Sequence, residues 1–203
     1  MRRLLLSLVF ALLLVGVAYG QDEKFEVTGD YSYFRLNPGL PSYFNSQNLN
    51  GGGGSFAAYV TPNIGIVGDL QGYGSFTQCT KPTAPTTGCA SGNLFTYLFG
   101  PQFKFRTHRF EPFAEVLVGG AHTNFYANAC THTTIGLVCG GRAPSNNAFD
   151  ILVGGGLDIR ASEHFTVRLL DADYELTRFG NNFTGGNNSQ SNFRFTTGIQ
   201  FRF

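Results

Sequence analysis

The chain has 203 residues, a formal net charge of +1 and 13% charged residues. A net charge so near zero gives no reason to expect a nucleic-acid-binding protein, because such proteins carry an excess of Lys and Arg toward the phosphates. The sequence contains 21 Phe and 27 Gly residues but no Trp. This composition favours many strands joined by polar loops over a helical protein.

The N-terminal segment has the pattern of a secretory signal peptide. A basic head at residues 1–3 precedes an apolar run over 4–18, and small residues at positions 18 and 20 suit a cleavage site. We therefore expect a signal peptide over residues 1–20 and one mature domain over residues 21–203. The alternative is an N-terminal membrane anchor, but the run is short for a spanning helix and polar residues follow it at once.

The C-terminal segment alternates strictly between apolar and polar residues. Phe, Thr and Ile occupy the odd positions from 193 to 203, and Arg194, Thr196, Gly198, Gln200 and Arg202 occupy the even ones. These 11 residues, tilted by about 45°, span roughly the 25 Å apolar band of an outer membrane. A strand of a globular protein is usually only about five or six residues long. The segment therefore predicts a membrane-spanning strand.

Similar patterns predict strands at 25–34, 53–61, 64–76, 94–106, 110–122, 148–160 and 165–178. Pro101 interrupts the apolar face of its segment and predicts a bulge or a locally lost ladder bond. In 165–178 the acidic residues suit the interior, but the same phase places Arg168 on the outer face. A bulge near Leu169, or a position of Arg168 at the membrane interface, would resolve this conflict, and the sequence leaves both open.

The predicted connections alternate between long and short: 37–52, 61–63, 77–93, 107–109, 123–147, 162–164 and 179–190. This alternation is typical of an up-and-down barrel with short periplasmic turns and long extracellular loops. Seven connections predict an all-β, eight-stranded antiparallel transmembrane β-barrel with both termini on the periplasmic side. A soluble lipocalin-like barrel is the alternative fold, and it would keep its apolar residues inside.

The polar faces of the strands predict a charged interior. The side chains expected to line the lumen are Glu26, Asp30, Asp69, Lys104, Arg106, Glu115, Asp150, Asp158, Arg160, Arg194 and Arg202. Because unpaired buried charges are costly, they should form hydrogen-bonded pairs between strands. Side chains nearly fill the interior of an eight-stranded barrel, so we expect a mostly plugged lumen. A narrow pore for ions or small solutes, selective through its charged lining, is the alternative.

The four cysteines form two close pairs in the sequence, Cys79 with Cys89 and Cys130 with Cys139. In an exported protein this spacing predicts two short-loop disulfides rather than a metal site. Four cysteines allow three connectivities, however, and a bridge between the two loops stays open.

The residues of 25–203 resemble a known family, the small outer-membrane β-barrel domains of the OmpA/OmpX type. Phe193, Phe195, Ile199, Phe201 and Phe203 look like the barrel-assembly signal of that family. The resemblance implies the outer membrane of a Gram-negative-type bacterium, contact with outer-membrane lipids, and insertion by the barrel-assembly machinery with periplasmic chaperones. It implies no single activity, because family members serve as adhesins, anchors, narrow pores or enzymes.

The sequence predicts no catalytic constellation, no metal site and no cofactor. His122 is expected near the extracellular end of a strand but has no Ser beside it in the sequence, which makes a lipid-modifying enzyme the least favoured function. Gly154-Gly155-Gly156 lacks the strand-turn-helix setting and the Lys of a phosphate-binding loop. We therefore expect a non-enzymatic structural or surface-interacting protein whose long loops carry any binding function, with the extracellular ligand unspecified.

Overall fold

The structure, a computed structural model, describes residues 24–38, 44–79, 81, 89–126, 130–133, 136–139, 146–179 and 189–203. The strands in these ranges are β1 (Phe25–Leu36), β2 (Gln47–Tyr59), β3 (Ile64–Cys79), β4 (Cys89–Lys104), β5 (Phe110–Tyr126), β6 (Cys130–Thr133), β7 (Gly136–Cys139), β8 (Asn146–Arg160), β9 (Phe165–Phe179) and β10 (Ser189–Arg202). In this part of the chain no helix has the length and apolar character needed to cross a membrane. The expected signal peptide lies outside the described residues.

Eight of the strands close into one antiparallel barrel in the order β1-β10-β9-β8-β5-β4-β3-β2, and β2 pairs with β1 to complete the ring. The two remaining strands, β6 and β7, pair only with each other as a ribbon in the connection between β5 and β8. Closure gives each of the eight barrel strands two partners. A sheet in lipid needs this because lipid supplies no hydrogen bonds to the backbone. The predicted eight-stranded fold is confirmed, and the ribbon is an addition to it.

Short and long connections alternate around the barrel, as predicted. Turns over 60–63, 105–109 and 161–164 join strands at one end, and the connections at the other end are longer. The two ends of the domain meet beside the short turns, where the Phe203 amide donates to the Phe25 carbonyl at 2.9 Å. We call this end of the barrel the turn end and the opposite one the loop end.

The strands extend further at the loop end than the sequence predicted. β2 begins at Gln47, β4 at Cys89 and β8 at Asn146, all inside segments predicted as loops. These added residues are mostly Gly, Asn and Ser and therefore lack the apolar alternation that marks a membrane strand. The antiparallel ladder continues through them nevertheless, because backbone pairing does not depend on an apolar face.

The outer face of the barrel is apolar. Large side chains that point away from the lumen stay exposed along every barrel strand, for example Phe56, Leu70, Phe99, Val153 and Ile199. A soluble protein rarely exposes so continuous an apolar surface, whereas a transmembrane barrel presents such a band to lipid. The arrangement excludes the lipocalin-like alternative, whose apolar residues would lie inside.

A bulge in β9 resolves the phase of Arg168. Leu157 pairs with Leu170, but the next pair is Asp158 with Arg168, so Leu169 has no partner of its own. Leu169 and Leu170 both face outward, 52% and 48% exposed, while Arg168 turns inward and is 4% exposed. Of the two alternatives that the sequence left open, the structure shows the bulge.

Pro101 weakens one ladder, as predicted. The register between β4 and β5 passes over Gly100 and Pro101, whereas β3 still pairs with both residues. Proline has no N–H to donate, so at this position one of the two neighbouring strands lacks a backbone hydrogen bond.

Candidate functional site in the barrel interior

Ion pairs cross the lumen near the turn end. Nζ of Lys104 in β4 donates to Oε2 of Glu26 in β1 at 2.6 Å and to Oδ2 of Asp158 in β8 at 2.8 Å. Neither of those strands is a neighbour of β4 in the barrel. Arg202 in β10 reaches Glu111 in β5 through two guanidinium hydrogen bonds. All five side chains are fully buried, so these ion pairs lie inside the barrel without exposure to solvent.

Arg106 and Tyr59 extend this network toward the turns. Nη2 of Arg106 donates to Oε1 of Glu26 at 2.9 Å, and the Arg106 guanidinium lies over the Tyr59 ring, 4.4 Å from its centroid. The Tyr59 hydroxyl donates to Oε1 of Gln102 at 2.5 Å. The aromatic face and the hydrogen bonds together hold the guanidinium in the mouth of the barrel.

A second ion pair crosses the middle of the lumen. Arg194 in β10 donates to Oδ1 of Asp69 in β3 at 2.6 Å and to Oδ2 of Asp173 in the neighbouring β9 at 2.9 Å. Strands β10 and β3 are not neighbours. Gln71 adds donors from β3 to Asp69 at 3.2 Å and to Asp30 at 2.8 Å. Arg194 therefore joins opposite walls at mid-height.

Arg168 links the two networks along the wall. It donates through Nε to Asp158 at 3.0 Å and through Nη1 to Asp171 at 3.4 Å. Its guanidinium also lies 4.3 Å from the centroid of the Phe113 ring. The bulge at Leu169 is what brings this cation inside, so a local irregularity of β9 completes the ionic network.

An apolar cluster lies in the lumen toward the loop end. Its buried members are Phe34, Leu49, Tyr73, Phe76, Leu94, Ala121 and Ala148. The rings of Phe34 and Tyr73 are 4.9 Å apart between centroids, and the Tyr73 and Ser32 hydroxyls form a hydrogen bond of 2.9 Å. Packed apolar side chains therefore occupy part of the interior toward the loop end.

Acidic side chains outnumber cations in the interior. The chain has 13 Asp and Glu residues, and all except Asp22, Glu23 and Glu163 lie on the inner faces of strands, which makes ten. Among the described residues, the interior cations with ion pairs to these acids include Lys104, Arg106, Arg168, Arg194 and Arg202. Acids without a partner in the described part of the chain occur away from the turn end. In that region, neither carboxylate oxygen of Asp150 or of Glu175 has a hydrogen-bond partner among the described residues.

The structure places ten of the eleven predicted lumen charges on the inner face of the barrel. The remaining one, Arg160, lies at the rim of the turn end, where its Nε donates to the Ser162 carbonyl at 3.4 Å. The prediction missed Glu111 and Arg168. Glu111 lies four residues before Glu115 in the same strand, so the two side chains face the same side of the sheet. The inward position of Glu111 could therefore have been predicted from that of Glu115. Arg168 gave no such signal, because the bulge shifts its phase.

The cysteine prediction is confirmed for one pair. Cys79 and Cys89 form a disulfide at the loop end of β3 and β4. Cys130 and Cys139 occupy opposite positions in the β6–β7 ribbon. Their side chains lie outside the described residues, so the second disulfide stays a prediction.

The residues of the predicted barrel-assembly signal lie on the outer face of β10 and directly after it. Phe193, Phe195, Ile199, Phe201 and Phe203 are all exposed and do not face the lumen. Their recognition by an assembly machinery stays a prediction.

Two further motifs singled out in the sequence have structural positions. Nδ1 of His122 lies 2.7 Å from Oδ1 of Asn147 on the neighbouring strand. Gly154, Gly155 and Gly156 lie within β8, where there is no turn that could hold a phosphate. At Gly156 a Cβ would lie 2.8 Å from the Phe113 ring, so this glycine makes room for an interior side chain.

Comparison with known proteins supports the fold. No family model matches the sequence, and curated proteins give no match. The chain is similar to Ail, the attachment invasion locus protein of Yersinia pestis, with a TM-score of 0.54 and 14% identity over 90% of this chain and 100% of that chain. It is equally similar to Neisserial surface protein A, with a TM-score of 0.54 and 14% identity over 88% of this chain and 97% of that chain.

The fold is that of the small eight-stranded outer-membrane β-barrels. Ail has also been solved in complex with sucrose octasulfate, a heparin analogue, and that structure matches this chain with the same TM-score of 0.54. At 14% identity the likeness establishes the fold and no activity.

Proposed function

We propose that this chain is a non-enzymatic outer-membrane protein with a closed lumen, whose loop end forms a binding surface outside the cell. The observation that carries this proposal is the set of buried ion pairs between strands that are not neighbours. Lys104 reaches both Glu26 and Asp158 across the lumen, and these side chains are fully buried. Such contacts occupy the cross-section that a solute would need to pass.

The arrangement of the connections supports the orientation. Outer-membrane barrels have short periplasmic turns and long extracellular loops. The turn end of this chain, with Lys24 and Phe203 beside the short turns, then faces the periplasm, and the loop end with the Cys79–Cys89 disulfide faces the oxidising exterior.

The charges of the loop end indicate the kind of ligand. The connections 37–46, 80–88, 127–145 and 180–188 contain Lys81 and Arg142 and no Asp or Glu. Arg35 and Arg178 lie within two residues of the loop-end limits of β1 and β9. A set of cations without acidic neighbours in the sequence attracts anionic ligands. The fold neighbour Ail, solved with a sulfated sugar, supports a sulfated glycan as the ligand class.

A surface role fits His122 better than catalysis does. A catalytic histidine is commonly oriented by a carboxylate that stabilises its charged form. Nδ1 of His122 faces the uncharged amide of Asn147. This contact belongs to the β5–β8 pairing near the loop end and supports a structural function for the residue.

Conductance across a planar bilayer tests the closed lumen. The full barrel, refolded in detergent and shown by its heat-modifiable migration on a gel to be folded, should add no single-channel steps to those of the detergent alone. An outer-membrane porin handled in the same way serves as the positive control. Reproducible steps from the folded protein would overturn the closed-lumen proposal and support the narrow pore instead.

A further inference from the structure

Three buried carboxylates meet on the inner wall formed by β5, β8 and β9. Glu115 in β5 and Asp171 and Asp173 in β9 each offer one oxygen, and these oxygens lie within 4.8 Å of one another. Asp171 and Asp173 are only 1% and 3% exposed. Negative charges this close repel each other strongly where water is excluded, so nearby positive charge would stabilise the arrangement.

Neighbouring side chains supply donors to one oxygen of each carboxylate. These donors are Gln102 to Oε2 of Glu115 (2.6 Å), Arg194 to Oδ2 of Asp173 (2.9 Å), and Thr196 and Arg168 to Oδ2 of Asp171 (3.3 and 3.4 Å). The other oxygen, Oδ1, of both aspartates is buried and has no hydrogen-bond partner among the described residues. A buried carboxylate oxygen without a donor is destabilising, and a bound cation would supply the missing partner.

The two arginines do not neutralise this cluster, because each is shared with an acid outside it. Arg194 also pairs with Asp69 at 2.6 Å, and Arg168 also pairs with Asp158 at 3.0 Å. The general excess of acids over cations in the described interior therefore includes this cluster.

A glycine makes room for one of the unpartnered oxygens. Gly154 in β8 pairs with Glu115 on one side and with Asp173 on the other. A Cβ at this position would lie 1.9 Å from Oδ1 of Asp173. This oxygen therefore occupies the space that a side chain at position 154 would fill, and the carboxylate can lie there because the residue is glycine.

We propose that Glu115, Asp171 and Asp173 bind one Ca²⁺ ion. Carboxylate oxygens are the ligands of hard cations, of which Ca²⁺ and Mg²⁺ are the common ones. Ca²⁺ accepts protein oxygens in flexible geometry, whereas Mg²⁺ demands near-ideal octahedral geometry and usually keeps several waters. A buried set of carboxylates therefore favours Ca²⁺.

The site requires neither a conducting lumen nor a ligand at the loop end, so it goes beyond the function proposed above. The test is metal content and stability of the full barrel, refolded in detergent without lipopolysaccharide, with CaCl2 or with a chelator. We expect one Ca²⁺ per barrel by elemental analysis after dialysis, and a higher unfolding temperature in CaCl2 than in chelator. Wild-type protein that retains no Ca²⁺ and unfolds at the same temperature in both would overturn the proposal.

Matched variants locate the site. Asp173→Asn should lower the Ca²⁺ affinity at least tenfold and remove the calcium-dependent rise in unfolding temperature. Glu175→Gln is the control, because it removes a buried acid from the next inward position of the same strand, outside the cluster, and should keep both properties. Equal calcium stabilisation of Asp173→Asn and wild type would place the ion elsewhere and contradict the proposal. Should Asp173→Asn fail to fold, the metal content of the wild type still decides.

Discussion

Charged residues inside the barrel depend on their partners, because removing one charge leaves the opposite charge buried without compensation. Lys104 illustrates this, because its Nζ compensates both Glu26 and Asp158 in a site without exposure to water. A buried pair contributes little compared with a well-packed apolar core, but removing one partner leaves the other charge uncompensated. The acids around Lys104 have further cations nearby, since Arg106 lies 2.9 Å from Glu26 and Arg168 lies 3.0 Å from Asp158.

Lys104→Met should therefore destabilise the barrel by about 3 kcal/mol, the lower end of the range for broken buried pairs. The methionine keeps much of the apolar stem and removes the charge. The measurement is unfolding by urea in lipid vesicles, followed by mobility on a gel. Lys24→Met, at an exposed position of the turn end, is the control and should change the stability by no more than about 0.5 kcal/mol. Equal stability of Lys104→Met and wild type would show that the cross-lumen ion pairs do not hold the strands together.

The side chains that face the barrel interior were predictable wherever the alternation of apolar and polar residues was unbroken. Glu26, Asp69 and Asp150 lie inside because their parity along the strand places them there. Which acid pairs with which cation was not predictable, because Arg194 and Asp69 are on strands that meet only across the barrel interior. A pair of that kind depends on barrel closure and side-chain length, neither of which has a local sequence signal.

At the scale of the strand, the bulge at Leu169 adds one residue to β9 and switches the inward-facing positions from even numbers before it to odd numbers after it. Arg168 faces inward before it and Asp171 faces inward after it. Both neighbouring ladders shift by one residue there, with Gly198 opposite Arg168 on β10 and Asp158 opposite it on β8. Without the extra leucine the alternation would run unbroken through the strand.

Deletion of Leu169 should therefore leave a folded barrel whose stability is within about 1 kcal/mol of the wild type, because it restores continuous pairing with both neighbours. Deletion of Ala172 is the matched control. It should lower the folded yield sharply, since it turns Asp171 toward lipid and breaks its pair with Arg168, at a cost of roughly 3–5 kcal/mol. Gel mobility after refolding into vesicles measures both. A Leu169 deletion that fails to fold would mean that β9 needs the bulge for its twist and not only for its phase.

Strand ends were less predictable than strand centres, because the alternation of apolar and polar residues is lost there. Asn48 and Asn50 at the start of β2 pair with Arg35 and Tyr33 of β1, although nothing in the local sequence alternates. Outside the apolar band, side chains no longer distinguish lipid from lumen, so the pattern fades while the ladder continues. The disulfide between Cys79 and Cys89 closes the extended ends of β3 and β4, at the position where the sequence predicted a loop.

At the scale of the whole molecule, the acids and the loop-end cations are separated. The acids of the barrel strands lie inside the barrel, and the loop-end connections carry Lys81 and Arg142 without any acid. The interior charges are therefore shielded from solvent, and the net charge of the loop-end connections is positive. This division could be recognised from the sequence only after the strands and connections had been assigned, because net charge alone is near zero.

The division of charge leads to a test with sucrose octasulfate as the ligand. Folded protein in detergent should bind it at low ionic strength, and added NaCl should weaken the binding because exposed charges are screened. Lys81→Ala combined with Arg142→Ala should reduce the affinity by up to about fivefold for each cation removed, since an exposed pair contributes up to about 1 kcal/mol. Lys24→Ala combined with Arg109→Ala removes the same charge from the turn end and should leave the affinity unchanged. An equal loss in both variants would assign the binding to net charge and contradict a ligand surface at the loop end.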